Sequence, residues 1–149
     1  MSRNFSLQPV RDLAQQRSDQ AAARLAELKS LEAQARQTLA MLEQCRVEYE
    51  QKLERALAAG IGPAELRNFQ AFIAKLERAL AQQREAVGQA ESRSRAGMAE
   101  WQLQQQKLKS FDVLASRERE QQQHAERKQE QKQLDEHAAS AHRRARTAD

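Results

Sequence analysis

The stretch Ala58-Ala59-Gly60-Ile61-Gly62-Pro63 is the strong break in a chain of 149 residues that otherwise reads as helix. Gly60 can adopt the left-handed conformation that ends a helix. Pro63 can open the next one, because its φ is already helical and its missing N–H would have no partner in a first turn. Pro9 fits a first turn for the same reason. Gly60, Gly62 and Pro63 thus punctuate an αα-hairpin, with a first helix over about residues 6–58, a turn at 59–63 and a second helix over about 64–140.

Outward from the turn, apolar residues recur alternately three and four apart. The first helix carries Leu25, Leu28, Glu32, Ala35, Leu39, Leu42, Arg46, Tyr49, Leu53 and Ala56 at these positions, eight of the ten apolar. The second carries Leu66, Phe69, Ile73, Leu76, Leu80, Gln83, Val87, Ala90, Ser94, Gly97, Trp101, Gln104, Leu108, Phe111 and Ala115, eleven of fifteen apolar with no change of phase. A sustained 3.5-residue period makes a helix supercoil around a partner. The chain supplies that partner by folding back, so that the numbers of facing residues total about 122. Tyr49 then lies near Ile73, Leu42 near Leu80, and Trp101 opposite Ala21 in the run Ala21 to Ala23, large against small as close packing requires. Phe111 falls opposite Val10 and Ala14. The expected core is Leu25, Leu28, Leu39, Leu53, Phe69, Ile73, Leu80, Trp101, Leu108 and Phe111.

Beyond about residue 118 the second helix has no facing segment, and its ladder turns polar at Glu118, Gln122, Gln129 and Lys132. The fold class is therefore all-α: one long two-helix antiparallel coiled-coil hairpin over residues 1–149, with a C-terminal helical overhang unpaired beyond about 118. Gly88 and Gly97, within GQAESRSRAG, read as local slack in the second helix.

Composition closes other routes. There are 27 alanines and 22 glutamines against only eight Val, Ile and Thr together, which excludes sandwiches, barrels and nucleotide-binding α/β folds. The net charge of +4 is spread evenly, and only Arg143, Arg144 and Arg146 cluster, which reads as a solvated tail with no nucleic-acid partner. Cys45 is the sole cysteine, fitting a reducing compartment. No segment approaches the roughly 20 apolar residues of a membrane span, so a cytoplasmic chain without direct membrane insertion is expected. His124, His137 and His142 lie in the polar overhang, and no phosphate loop, nucleophile elbow or Cys-x-x-Cys pair occurs. No catalytic residue, cofactor or metal site is expected, and the chain does not read as an enzyme. The run from Glu126 to Glu136 reads as a solvated helix.

The informative excess is Phe72. Phe69, Ile73, Leu76 and Leu80 already fill the seam, yet Phe72 stands one position off the ladder. Either the interface widens there or an aromatic is left partly exposed as an anchor. A thin, alanine-rich hairpin would in any case be marginal alone and suited to docking on something larger.

The segment AGIGPAELRNFQAFIAKLERAL, residues 59 to 80, resembles the turn region of the FliJ family, small stalk proteins of the bacterial flagellar type III export apparatus. Ala59, Gly60, Ile61, Gln70, Phe72, Ile73, Leu76, Glu77 and Ala79 follow its pattern, as do Trp101 with the Leu108 region, NFSLQPVRDLA near the start and QKQLDEHA at 131–138. Phe69 stands where the family often has tyrosine, and Cys45 where an aromatic can occur. The resemblance implies a hairpin similar to the central stalk of rotary ATPases, peripherally associated with the inner-membrane export apparatus. Its free ends would enter the hexameric export ATPase FliI, and its turn end would reach the export gate FlhA through Phe72, Leu76, Ala79, Leu42 and Tyr49. Export chaperones are a further implied partner. The alternatives are an adaptor that escorts such chaperones and a general coiled-coil scaffold.

Overall fold

The computed structural model describes residues 6–148. Helix α1 runs from Gln8–Ala59 and helix α2 from Pro63–Thr147, 52 and 85 residues respectively, with no strand among the described residues. The architecture is an all-α hairpin. Helix α2 continues past residue 140 because its end is rich in alanine, and Arg144 and Arg146 in the last turn complement the negative end of the helix dipole. At the start of α1 the Gln8 amide donates to Ser6 Oγ at 3.2 Å, and the Arg11 amide to the Leu7 carbonyl at 2.9 Å.

In the turn, Gly60 has φ of +87°, the left-handed conformation, and its amide donates to the Leu57 carbonyl at 3.2 Å. Pro63 opens α2, and the Leu66 amide donates back to the Gly62 carbonyl at 3.1 Å. Gly62, also in the turn, is not left-handed. A Cβ there would meet nothing within 4 Å, so a side chain fits without strain.

Contacts divide the chain into two compact units. One contains the turn and spans Asp19–Leu103; the other joins the segment up to Ser18 with the segment from Gln104 onward. In the turn unit, the ladder positions of both helices are buried or half-buried, from Leu25 to Ala56 and from Leu66 to Trp101. Labelling these positions a and d of a heptad, with Leu25 and Leu66 at a, gives each other residue a place on a flank or the outer face. Leu25, Leu28, Leu76, Leu80 and Val87 are buried, Leu80 completely at 0% exposure. Leu39, Leu53, Phe69, Ile73 and Trp101 lie on the seam but are only half-buried, because a two-stranded coil has no third layer to cover them. In the unit of the free ends, Ala14, Ser18, Leu108 and Ala115 are buried and Phe111 is half-buried.

Register can be read from contacts between the helices. In the turn unit the Tyr49 and Phe69 rings meet in a tilted contact, Gln83 Nε2 donates to the Ala35 carbonyl at 2.9 Å, and Arg36 pairs with Glu91 at 3.0 Å. Among the free ends, Gln105 Nε2 donates to the buried Ser18 hydroxyl at 2.9 Å, and Arg11 Nε meets Asp112 at 2.6 Å. The residue numbers of these pairs total between 118 and 127, around the expected 122. Gly97 is not slack. A Cβ there would sit 2.7 Å from Leu28 Cδ1 and 3.8 Å from the Leu25 Cα, so the glycine permits close approach of α1. Gly88 has open space.

Among the described residues, pairing of the free ends reaches Glu118, which is half-buried and whose Oε2 accepts the Leu7 amide at 3.0 Å. Helix α1 has no acidic residue in its own first turn, so Glu118 supplies a negative charge to its N-terminus from across the seam. From Arg119 to Ala139 every residue is exposed. No helix among the described residues is long and apolar enough to cross a membrane.

Candidate partner-docking flank

A paired hairpin has two flanks, and in the turn unit they differ. On one flank the e positions of both helices meet. Arg36 bridges Glu32 at 3.1 Å and Glu91 at 3.0 Å, and Arg46 holds Glu50 at 3.0 Å. The hydrogen bond that Arg36 donates to Glu91 is the main cause that raises its guanidinium above the ordinary pKa, and the one Arg46 donates to Glu50 does the same there, with Glu77 adding attraction. This flank spends its charges on itself.

The other flank is formed by the g positions of both helices together with the d residues beside them. In its middle these are Leu31, Thr38 and Cys45 at g of α1, with Met41 at the neighbouring c position, and Phe72, Ala79 and Ala86 on α2; Arg24, paired with Glu27, and Lys52, Arg93 and Glu100 take the g positions beyond. Met41 is 66% exposed and Phe72 39%, while Leu31 and Cys45 are also exposed. Phe72 is anchored rather than loose: its ring centroid lies 4.2 Å from that of Tyr49, which also contacts Phe69 at 5.3 Å. The Tyr49–Phe72 contact follows from antiparallel geometry, in which a d residue is flanked by a g residue of the facing helix. Three aromatic rings therefore form a ledge at the end of the flank nearest the turn.

The structure places the residues singled out in the sequence as follows. Leu42 and Tyr49 are half-buried d residues of α1, Ala79 is a half-buried g residue of α2, and Phe72 is exposed, all on the same flank. Leu76 differs. It is only 7% exposed, a seam residue beneath the ledge, so it offers little surface to a partner. Sequence reasoning passed over Leu31, Thr38, Met41 and Ala86. Their signal was spacing, since Leu31, Thr38 and Cys45 recur every seven residues one position before the ladder, as do Phe72, Ala79 and Ala86. Among the described residues no group of three or more His, Cys, Asp or Glu could hold a metal ion.

The fold is that of an antiparallel two-helix coiled-coil hairpin, with self-paired charge on one flank and, on the other, a stretch from Leu31 to Cys45 free of charge at g and ending in aromatic rings. A sequence profile described as "Flagellar FliJ protein" matches residues 2–147. Flagellar FliJ proteins of Escherichia coli (strain K12) and Salmonella typhi are each 31% identical over 141 residues, covering 95% of this chain and 96% of theirs. The chain belongs to the flagellar FliJ family.

Proposed function

We propose that the protein is a non-enzymatic stalk of the flagellar type III export apparatus, working in the cytoplasm at the inner membrane. Membership of the flagellar FliJ family supports its place as a component of that apparatus. The stalk inserts its free ends into the hexameric export ATPase and presents its turn-proximal flank to the membrane export gate. The observation that carries this reading is the aromatic ledge: an exposed Phe72 held at 4.2 Å on Tyr49, on a flank whose g positions from Leu31 to Cys45 make no ion pair. The overhang beyond Glu118, fully helical yet exposed throughout from Arg119 to Ala139, supports a partner outside the chain at the free ends.

Coupling needs no chemistry from the stalk. A single asymmetric hairpin within a six-fold ring cannot meet six subunits equivalently, so it binds some subunit conformations better than others. By linkage, the nucleotide state of the ring then biases the stalk. The gate reads that bias through the flank.

The test is Phe72→Ala. Exposure of Phe72 makes a modest stability loss expected, whereas gate binding should fall by about 2 kcal/mol or more if the ring is an interface anchor. Motility should be lost while ATPase binding persists. Unchanged gate binding with reduced helix content would make Phe72 a core residue and reject the assignment. Binding to export chaperones without the ATPase would favour an adaptor instead.

A further inference from the structure

The two helices contribute unequally to the pairing of the free ends. Over residues 7–18 the seam positions of α1 are Leu7, Arg11, Ala14 and Ser18, and the two that are buried, Ala14 and Ser18, carry small side chains. In the turn unit the α1 seam instead includes Leu25, Leu28, Leu39, Leu42, Tyr49 and Leu53. Burial stabilises in proportion to the apolar area covered, so the first turns of α1 are held far less firmly than the rest. Three polar contacts add to the hold: the Leu7 amide on Glu118 at 3.0 Å, Arg11 on Asp112 at 2.6 Å, and Gln105 on the Ser18 hydroxyl at 2.9 Å. All of these residues lie in the unit of the free ends. A segment of twelve residues is also marginal as a helix without a partner.

The inner edge of this segment offers α1 a second place to start. The boundary between the units falls between Ser18 and Asp19. Serine and aspartate are among the preferred N-cap residues, whereas inside a helix both compete with its backbone hydrogen bonds. Ala21, Ala22 and Ala23 follow at once, the strongest of helix formers. If residues 7–18 unwind, Ser18 or Asp19 can cap the helix that remains, and the loss stops there.

We propose that residues 7–18 form a releasable strap on α2, opening as one unit while the turn unit stays paired. Closed, the strap covers Leu108, Phe111 and Ala115. Open, it uncovers α2 from Gln104 to Glu118, adding 15 residues, about 22 Å of helix, to the exposed arm that otherwise starts at Arg119. Leu108 and Phe111 then join Leu114, exposed even in the closed state, in one apolar surface. The device belongs to this chain alone and is independent of which partner the overhang takes.

Hydrogen exchange of the unmodified full-length chain is the first test. Amides of residues 11–18 should exchange through one common opening, at least thirtyfold faster than those of residues 25–53, with a step between Ser18 and Asp19. A smooth gradient inward from Gln8, without the step, would make the segment an ordinary frayed end and overturn the proposal. Thiol labelling is the second, in a Cys45→Ser background that leaves no other cysteine. Ser18→Cys and Ser94→Cys are near-isosteric changes at buried positions, one in the strap and one in the turn unit. The thiol of Ser18→Cys should react at least thirtyfold faster than that of Ser94→Cys. Gln16→Pro, at an exposed position of the strap, should speed the first at least tenfold further and change the second less than twofold, with circular dichroism verifying that the rest stays helical. Equal rates for the two thiols, or equal acceleration of both by Gln16→Pro, would make the hairpin one cooperative unit and overturn the proposal.

Discussion

Gly97 and Gly88 lie nine residues apart on α2, yet a side chain at each should act in opposite directions. Gly88→Ala meets open space and removes a helix-interior glycine, so it should stabilise the hairpin by about 1 kcal/mol. Gly97→Leu must displace Leu28, whose Cδ1 would be 2.7 Å from the new Cβ, and should destabilise by about 2 kcal/mol through overpacking. Chemical denaturation of the two variants decides the matter; equal effects would mean that the close approach at Leu28 is absent in solution. The turn offers a parallel contrast. Gly60→Ala forces a Cβ into the left-handed region and should cost about 1–2 kcal/mol, whereas Gly62→Ala should leave the unfolding midpoint nearly unchanged. Composition treats both glycines of each pair alike, because φ and interhelical distance depend on where the facing chain runs. At Leu76 the two sequence readings conflict: the ladder puts it in the seam and the family pattern marks it as a contact, and its burial follows the ladder.

The seam of α1 and α2 was legible because its 3.5-residue period is unbroken, and a period needs no coordinates to be seen. The flank was less so. Its apolar positions recur only every seventh residue and are diluted by alanine and glutamine, so Phe72 alone stood out. The pairs Ser18–Gln105 and Leu7–Glu118 join residues 87 and 111 apart, and they become visible only once register is established. Glu118→Ala should fray the start of α1, costing about 1 kcal/mol as for a lost cap, and hydrogen exchange of the first-turn amides would report it. The charged flank predicts a flat pH response. Arg11, Arg36 and Arg46 all have guanidinium pKa values raised, Arg11 chiefly by its hydrogen bond to Asp112. A raised pKa contributes stability that is fully present below the ordinary arginine value and is lost only as pH climbs through the raised one. These pairs therefore add no slope to the melting midpoint between about pH 6 and 9. Because they are exposed, salt should lower that midpoint only slightly.

In the proposed coupling the molecule uses two surfaces: the Phe72 flank in the unit that holds the turn, and the exposed helical overhang in the unit of the free ends. Coupling between an ATPase and a gate requires that each surface hold its own partner, since a single shared surface would make the two compete. The direct measurement is co-sedimentation with the purified export ATPase and, separately, with the gate's cytoplasmic part, for Phe72→Ala and for a chain ending at residue 122, which keeps Glu118 and its contact with Leu7. The account predicts that Phe72→Ala loses the gate and keeps the ATPase, and that the shortened chain loses the ATPase and keeps the gate. Loss of both partners by either variant, with the hairpin still folded, would contradict it.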